Sequence, residues 1–498
     1  MKKIIACLLI VMFALQPIVA FAAPPREAAF NSYVFNRHGR AVPTPASYMP
    51  AFALSGIDMG VGALRNPSDI TTCAEGYLYI LDAGNGRIII LDENFEVAKV
   101  LDSFTLNGEP FYFGTPSGMF VVPDGRIHIA DEGLGRVITI DREGTVIMYL
   151  GAPESEILSE NFHFVPIAVL EDASGVLYIL SRGSYQGALM VDLQRDYLFL
   201  GFFGANQVEM SVAQLGQMLW RRIFTREQRE RMVQLIPVEF TNFDKCPNGF
   251  IYVCTAFSEH NVDQLRILNS AGGNILRTPE VGVSMNYGDP VIFTSRYVQV
   301  TTSFVDITYI GNGIFAALDN TRGRVFVYTT DSHMVAQFGQ NGEQLGRFTN
   351  AVALASFDNK IIVLDSIRGE ITAFALTEYG YLVQEALALH NQGRFEESVD
   401  HWRAVLARNI NFELAYLGIG RGLSRSGYTE EALWYLRRAN NRQVYSEVFE
   451  LHRNQFTSDN FNALALGFIG LCIFLILISK RKFFMERFSK NTRTHERA

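Results

Sequence analysis

Cysteine is scarce in the 498 residues: there are five, and Cys7 and Cys472 fall in the apolar runs at the two ends. The remaining Cys73, Cys246 and Cys254 are odd in number and irregularly spaced, which excludes a disulfide framework. Cys246 and Cys254 flank the turn Pro247-Asn248-Gly249 out of register, on the order of 10 Å apart at ~3.3 Å per residue, beyond the reach of a bridge. Proline is also sparse, sixteen residues against thirty-eight Phe and twenty Tyr, a balance that suits packed strands rather than disorder. The nine histidines include no pair at zinc-ligand spacing, and neither a Gly-x-Ser-x-Gly nor a Walker sequence occurs. Positive charge is in deficit: the net charge is −8, and the stretch between the basic termini is more acidic still. A general nucleic-acid binder is therefore excluded, because phosphate affinity comes largely from neutralising cations. The one Asn-x-Ser/Thr sequon, Asn66-Pro67-Ser68, is blocked by its proline, which fits a bacterial cell envelope better than a eukaryotic secretory route.

Long apolar runs are confined to the two ends. Met1-Lys2-Lys3, the run Ile4 to Phe21 and Ala20-Phe21-Ala22 read as a signal peptide, residues 1–22, cleaved after Ala22; an uncleaved anchor is the alternative. Phe461 to Ser479 is long enough for a transmembrane helix, since ~20 residues at 1.5 Å per residue cross a core of ~30 Å. The tail, residues 480–498, opens with Lys480-Arg481-Lys482 and stays basic. Cations crowded at one end of a span belong on the cytoplasmic side. The expectation is a single-pass cell-membrane protein with its N-terminal domain outside and its C-terminus cytoplasmic.

Between the ends a pattern repeats. Leu78-Tyr79-Ile80-Leu81-Asp82, a glycine-containing turn and Arg87-Ile88-Ile89-Ile90 return as Ile127 to Asp131 and Arg136 to Ile140, as Phe315 to Asp319 and Arg324 to Tyr328, and as Ile361 to Asp365 with Gly369-Glu370. Degenerate copies end at Ser181 and Cys254. The step is 46–50 residues, lengthened to 73 and 65 on either side of Cys254. A strand-rich period of this size signals a β-propeller, with blades near 66–114, 115–164, 165–206, 236–300, 301–348 and 349–378. The sixth unit lacks a fourth strand, and Ser32 to Phe35 is the expected donor that closes the ring within residues 23–378. Closure removes sheet edges that would otherwise invite aggregation. Asp82 with Arg87, Asp131 with Arg136 and Asp319 with Arg324 flank turns, as Asp365 does; the side chain of each Asp is expected to cap its turn and pair with the Arg.

The blade pattern Tyr-Ile-x-Asp, turn, Gly-Arg-Ile resembles that of the NHL-repeat family, over about Asn66 to Leu376. The resemblance implies a mainly β, six-bladed NHL-like propeller. Related six-bladed folds include gluconolactonase-like and paraoxonase-like hydrolases that hold a divalent metal in the central channel. Aligned starts of the innermost strands fall at Asp69, Gly118, Ala168, Glu239, Asp306 and Ala353, so Asp69, Glu239 and Asp306 are channel-lining candidates. Three carboxylates would suit Ca²⁺, although the Asn and His ligands of those hydrolases find no match here. No cofactor is otherwise expected.

Two long links sit on one rim. Residues 207–235 read as a helical insert with two capping boxes, at Ser211 and Thr225. Trp220, Arg221, Arg222, Arg226 and Arg229 on it are partner-surface candidates, because loops on a rigid scaffold commonly carry function; simple packing on blades three and four is the bland alternative. From Tyr381 the period changes to 3.6. Gly393-Arg394-Phe395-Glu396-Glu397 recurs at Gly427-Tyr428-Thr429-Glu430-Glu431, a step of 34 residues, and residues 379–455 resemble a TPR-like segment that either binds a protein or spaces the propeller from the bilayer. The expected function is a membrane-anchored binding or scaffold protein with envelope or membrane proteins as partners; the alternative is a metal-dependent hydrolase or lactonase.

Overall fold

The computed structural model describes residues 30–36, 39–155, 157–158, 162–204, 239–256, 264–277, 287–290, 292–295 and 298–495. The expected signal peptide, and the insert 207–235 with its Trp220, Arg221, Arg222, Arg226 and Arg229, lie outside the described residues.

The middle strands of each repeat are apolar without alternation because both of their faces are covered by neighbouring blades. Leu78–Asp82, Ile127–Asp131 and Ile314–Asp319 are buried at every position. Six antiparallel sheets result, forming a six-bladed β-propeller. Blade 1 runs Asp69–Thr72, Leu78–Asp82, Arg87–Leu91 and Val97–Leu101 from axis to rim. Blade 2 begins at Pro116–Val121, blade 3 at Pro166–Glu171 and blade 5 at Phe304–Gly311, each with four strands. Blade 4 has three among the described residues: Phe240–Lys245, Ile251–Thr255 and Leu265–Leu268.

Ring closure differs from the sequence expectation. Blade 6 comprises Ala351–Phe357, Lys360–Asp365 and Glu370–Leu376, and its fourth strand is Tyr48–Ser55, paired from Glu370↔Ser55 to Leu376↔Tyr48. Tyr33–Phe35 instead forms a short hairpin with Ala41–Pro43. Length decides the matter: three residues cannot match a seven-residue partner, and eight can. Pro50 disguises the true strand, since proline ordinarily argues against one. Here it sits at a register shift on the outermost strand, where its missing N–H takes nothing from the ladder.

Six helices follow: α1 (Glu378–Asn391), α2 (Phe395–Arg408), α3 (Glu413–Arg425), α4 (Thr429–Arg438), α5 (Arg442–Asp459) and α6 (Phe461–His495). Thr377 caps α1 by accepting from Gly380 N at 3.0 Å. Asn441 caps α5 through Val444 N, also at 3.0 Å. Gly393 and Gly427, at positive φ, close α1 and α3, an arrangement a Cβ would strain. The helical unit is welded to the ring. Asn409 Nδ2 donates to Thr44 Oγ1 (2.9 Å) and Tyr379 OH (3.2 Å), Gln384 to Tyr48 OH (2.6 Å), and Asn391 to the Asn312 carbonyl (2.6 Å). One hydrophobic cluster runs unbroken from Phe304 and Phe338 in the propeller to Val383, Trp402 and Leu436 in the helices. Within α6, Phe461–Arg481 is long and apolar enough to cross a membrane, and none of it is buried in the protein.

Candidate functional site

Innermost strands have one edge without a strand neighbour, so their backbone N–H groups need partners from elsewhere. Side chains from the adjacent blade supply them. Asp69 Oδ1 accepts from Ile70 N (2.8 Å), and its Oδ2 accepts from Met119 N of blade 2 (2.6 Å). Asp306 repeats the pattern at the junction of blades 5 and 6. Its Oδ1 accepts from Ile307 N (2.8 Å) and Asn242 Nδ2 of blade 4 (2.6 Å), and its Oδ2 accepts from Leu354 N of blade 6 (2.6 Å). Asp244 accepts from Lys245 N (2.7 Å) and, across the junction, from Tyr309 N (2.8 Å) and Thr308 Oγ1 (3.0 Å). Asp69 and Asp244 therefore each staple two blades at the axis, and Asp306 staples three.

Asp69 and Asp306 thus come to corresponding positions on their blades, as the repeat alignment expects. Glu239 does not join them. It precedes the inner strand of blade 4 and accepts from Gly183 N at 2.8 Å. The register pairs Asn242 with Cys254, so Thr255, not Cys254, occupies the repeat's Asp place and Asn242 is the aligned residue. Asn242 and Asp244 were missed for that reason. Their signal was the polar alternation in Phe240-Thr241-Asn242-Phe243-Asp244-Lys245, where apolar residues would be expected next to the axis. For a Ca²⁺ ion, the oxygens of Asp69 and Asp306 are already engaged by N–H donors, and among the described residues no group of three or more His, Cys, Asp or Glu side chains could hold a metal ion.

Burial pushes the Asp69 carboxyl up to about 7, against the two backbone N–H groups that hold it down. Asp306 is raised too, by burial and by the Asp69 charge, and Asp244 by burial. A raised carboxyl binds its proton more tightly folded than unfolded, so its contribution to stability is fully present below the unfolded value near 4 and is lost as pH climbs to about 7. Asp69→Asn removes that dependence. Its stability relative to the native chain is expected to rise between pH 4 and 7 and level off above, measured by urea denaturation across that range; a difference that does not vary with pH would contradict this assignment.

A second cluster joins blades 2, 3 and 4. His128, fully buried, contacts Thr139 Oγ1 through Nδ1 (2.7 Å) and Glu171 through Nε2 (2.5 Å). Arg126 reaches Glu171 at 3.0 Å, and Lys245 Nζ donates to the Glu171 carbonyl at 2.6 Å. Burial acts to raise the Glu171 carboxyl, but hydrogen bonds from His128 and Arg126 hold it below the usual range; burial lowers Lys245. Every polar group here has a partner within the cluster.

The repeat's Asp–Arg pairs serve the outer architecture. Asp82 accepts from Arg65 N (2.7 Å) and Arg87 Nε (2.7 Å), and Asp131 from Thr115 N (2.8 Å) and Arg136 Nε (2.8 Å). Asp365 accepts from Thr349 N at 2.6 Å and Arg368 N at 3.0 Å. Blade 5 departs from the expected pairing. Asp319 accepts from Ser303 N and Thr321 N, while Arg324 turns to Asp289 and to Tyr33 OH (3.0 Å). The cause is the N-terminal hairpin, whose Tyr33 also donates to Asp289 and recruits the arginine. Cys73, Cys246 and Cys254 form no disulfide, and Cys254 Sγ lies 3.2 Å from Thr241 Oγ1.

No family model and no curated protein sequence matches the chain. Among solved structures it is similar to a streptogramin B lyase (11% identity, 71% of this chain and 100% of that one, TM-score 0.39). It is also similar to virginiamycin B lyase from Staphylococcus aureus (10% identity, 69% and 87%, TM-score 0.37) and to the PQQ-bound aldose sugar dehydrogenase from Streptomyces coelicolor (12% identity, 67% and 99%, TM-score 0.38). At these identities the likeness is one of fold alone.

Proposed function

We propose that the chain is a membrane-anchored, extracytoplasmic scaffold. In this reading an NHL-like propeller is the binding platform, TPR-like helices carry it, α6 holds it in the membrane with its basic end in the cytoplasm, and other envelope proteins are its partners. The observation that carries the reading is the use made of the inner-strand carboxylates: their oxygens are spent on backbone N–H groups across blade junctions, which is the work of a rigid ring rather than of a reacting centre. The continuity of the helical unit with Phe461–Arg481 supports the anchor.

The competing reading, a metal-dependent hydrolase, draws on the mutual proximity of Asp69, Asp244 and Asp306. Thermal unfolding of the full chain in EDTA, then with Ca²⁺, Mn²⁺ or Zn²⁺, separates the two. A cation bound only by the folded state adds about 2.7 kcal/mol at a hundredfold excess over Kd. The scaffold predicts no such gain. A gain abolished by Asp306→Ala would transfer the assignment to the hydrolase. The expected topology is checked by adding protease to intact cells, where the propeller should be cleaved and the tail beyond Lys480 protected.

A further inference from the structure

The two rims of the propeller differ in character. On one rim lie the turns from second to third strand and the links from blade to blade. Their tips carry large apolar side chains in the open: Ile57 (71% exposed), Tyr112 (78%), Leu134 (55%), Tyr185 (42%) and Ile367 (67%). On the opposite rim the turns expose fewer large apolar side chains, Tyr197 (41%) and Phe250 (36%), and are closed by aspartates that cap their own backbone, as Asp92 does for Asn94 N, Asp141 for Glu143 N and Asp172, in a first-to-second strand turn, for Ser174 N. Singly exposed apolar residues are ordinary; their gathering on the loop tips of one rim is not. The helical unit attaches at the other rim, beginning at Thr377 after Leu376 and touching the Asn312 turn, so the apolar rim faces away from it. Charge on this rim is one-sided over blades 1–3. Asp58, Asp102, Glu109 and Glu154 face only Arg65 among the described residues, because Arg87, Arg136 and Arg182 are neutralised by Asp82, Asp131 and Glu132.

We infer that this rim is the docking face for a cationic, apolar segment of a partner protein, whose apolar side chains meet the loop tips and whose Lys and Arg residues meet the acidic surround. The inference rests on the scaffold reading and specifies its partner. Complementary charge speeds encounter and selects partners, while buried apolar anchors provide most of the affinity.

The test uses the full chain in zwitterionic nanodiscs, with empty discs as the control, and two labelled amphipathic 18-residue helical probes, one Lys/Leu and one Glu/Leu. Fluorescence anisotropy should show the Lys/Leu probe binding to the chain beyond the empty-disc level and weakening at least tenfold with the pair Tyr112→Lys and Leu134→Lys. Both positions are exposed, so the unfolding temperature of the pair should match that of the native chain, which separates loss of binding from loss of fold. Equal binding of the Glu/Leu probe, or unchanged binding by the pair, would overturn the inference. Binding that emerges only after residues 205–238 are exchanged for a Gly-Ser linker would also overturn it, identifying the chain's own insert as the occupant. If no probe binds while a defined partner still associates through the helices, the rim assignment falls and the scaffold reading stands.

Discussion

Asp131→Ala should lower the stability of the chain by about 3–5 kcal/mol, the range for removing one partner of a buried ion pair. Asp131 is fully buried and accepts from Gly114 N, Thr115 N and Arg136 Nε. Alanine leaves the two N–H groups without acceptors, each costing roughly 1–3 kcal/mol, and strands a guanidinium whose remaining contacts are the Tyr112 carbonyl and the faces of Phe111 and Tyr149. Blade 5 provides the internal comparison. Asp319→Ala removes acceptors from Ser303 N and Thr321 N but orphans no arginine, because Arg324 is held by Asp289. Burial also raises the Asp319 carboxyl to about 6, so removing it relieves a cost that offsets part of the loss. The expected order is Asp131→Ala well below Asp319→Ala, read as denaturation midpoints at pH 7. Equal losses would mean that the arginine contributes nothing to the blade.

Trp402→Ala should cost about 3–5 kcal/mol, as large-to-small changes of buried aromatics do. Trp402 is 1% exposed and lies between α2 and α3, 6.4 Å from the Phe412 ring. Its neighbour on α3 is Gly418, where a Cβ would come within 2.3 Å of the indole Nε1. The helix pair is thus built around the indole, and Val405 and Ala415 of the same cluster are fully buried, which leaves little means of collapse. Because the hydrophobic cluster containing Trp402 continues into blades 5 and 6, the helical unit and the propeller should unfold together. A calorimetric scan of the variant should show one transition moved down as a whole; a separate early transition would show that the helices fold independently of the ring.

The chain displays some of these determinants locally and others not at all. The Asp131–Arg136 hairpin was legible because both residues sit five apart on one turn and the same spacing recurs at Asp82–Arg87. The inner-strand staples were only partly legible. Asp69 and Asp306 stand out as charges in apolar strands, but what they bind, Met119 N and Leu354 N, belongs to other blades some 50 positions away. In blade 4 the repeat is so degenerate that the alignment slipped by three residues, placing Glu239 where Asn242 belongs. The amide at that place makes physical sense only with the fold in view. Asn242 must donate to Asp306, which a carboxylate could not do without a proton.

By itself, the sequence determined the strand-rich period near 46–50 residues, the Asp-capped turns, the change to helical period from Tyr381 and the apolar run Phe461 to Ser479. All of these depend on neighbours within a few residues, where propensity, periodicity and capping act. Only the tertiary structure decided that Tyr48–Ser55 closes the ring, that Arg324 abandons Asp319 for Asp289 and Tyr33, and that the axial carboxylates are spent on blade junctions. These choices are settled by length matching, burial and competition for buried hydrogen bonds between segments that can lie more than three hundred residues apart, and no local window of the sequence contains both partners.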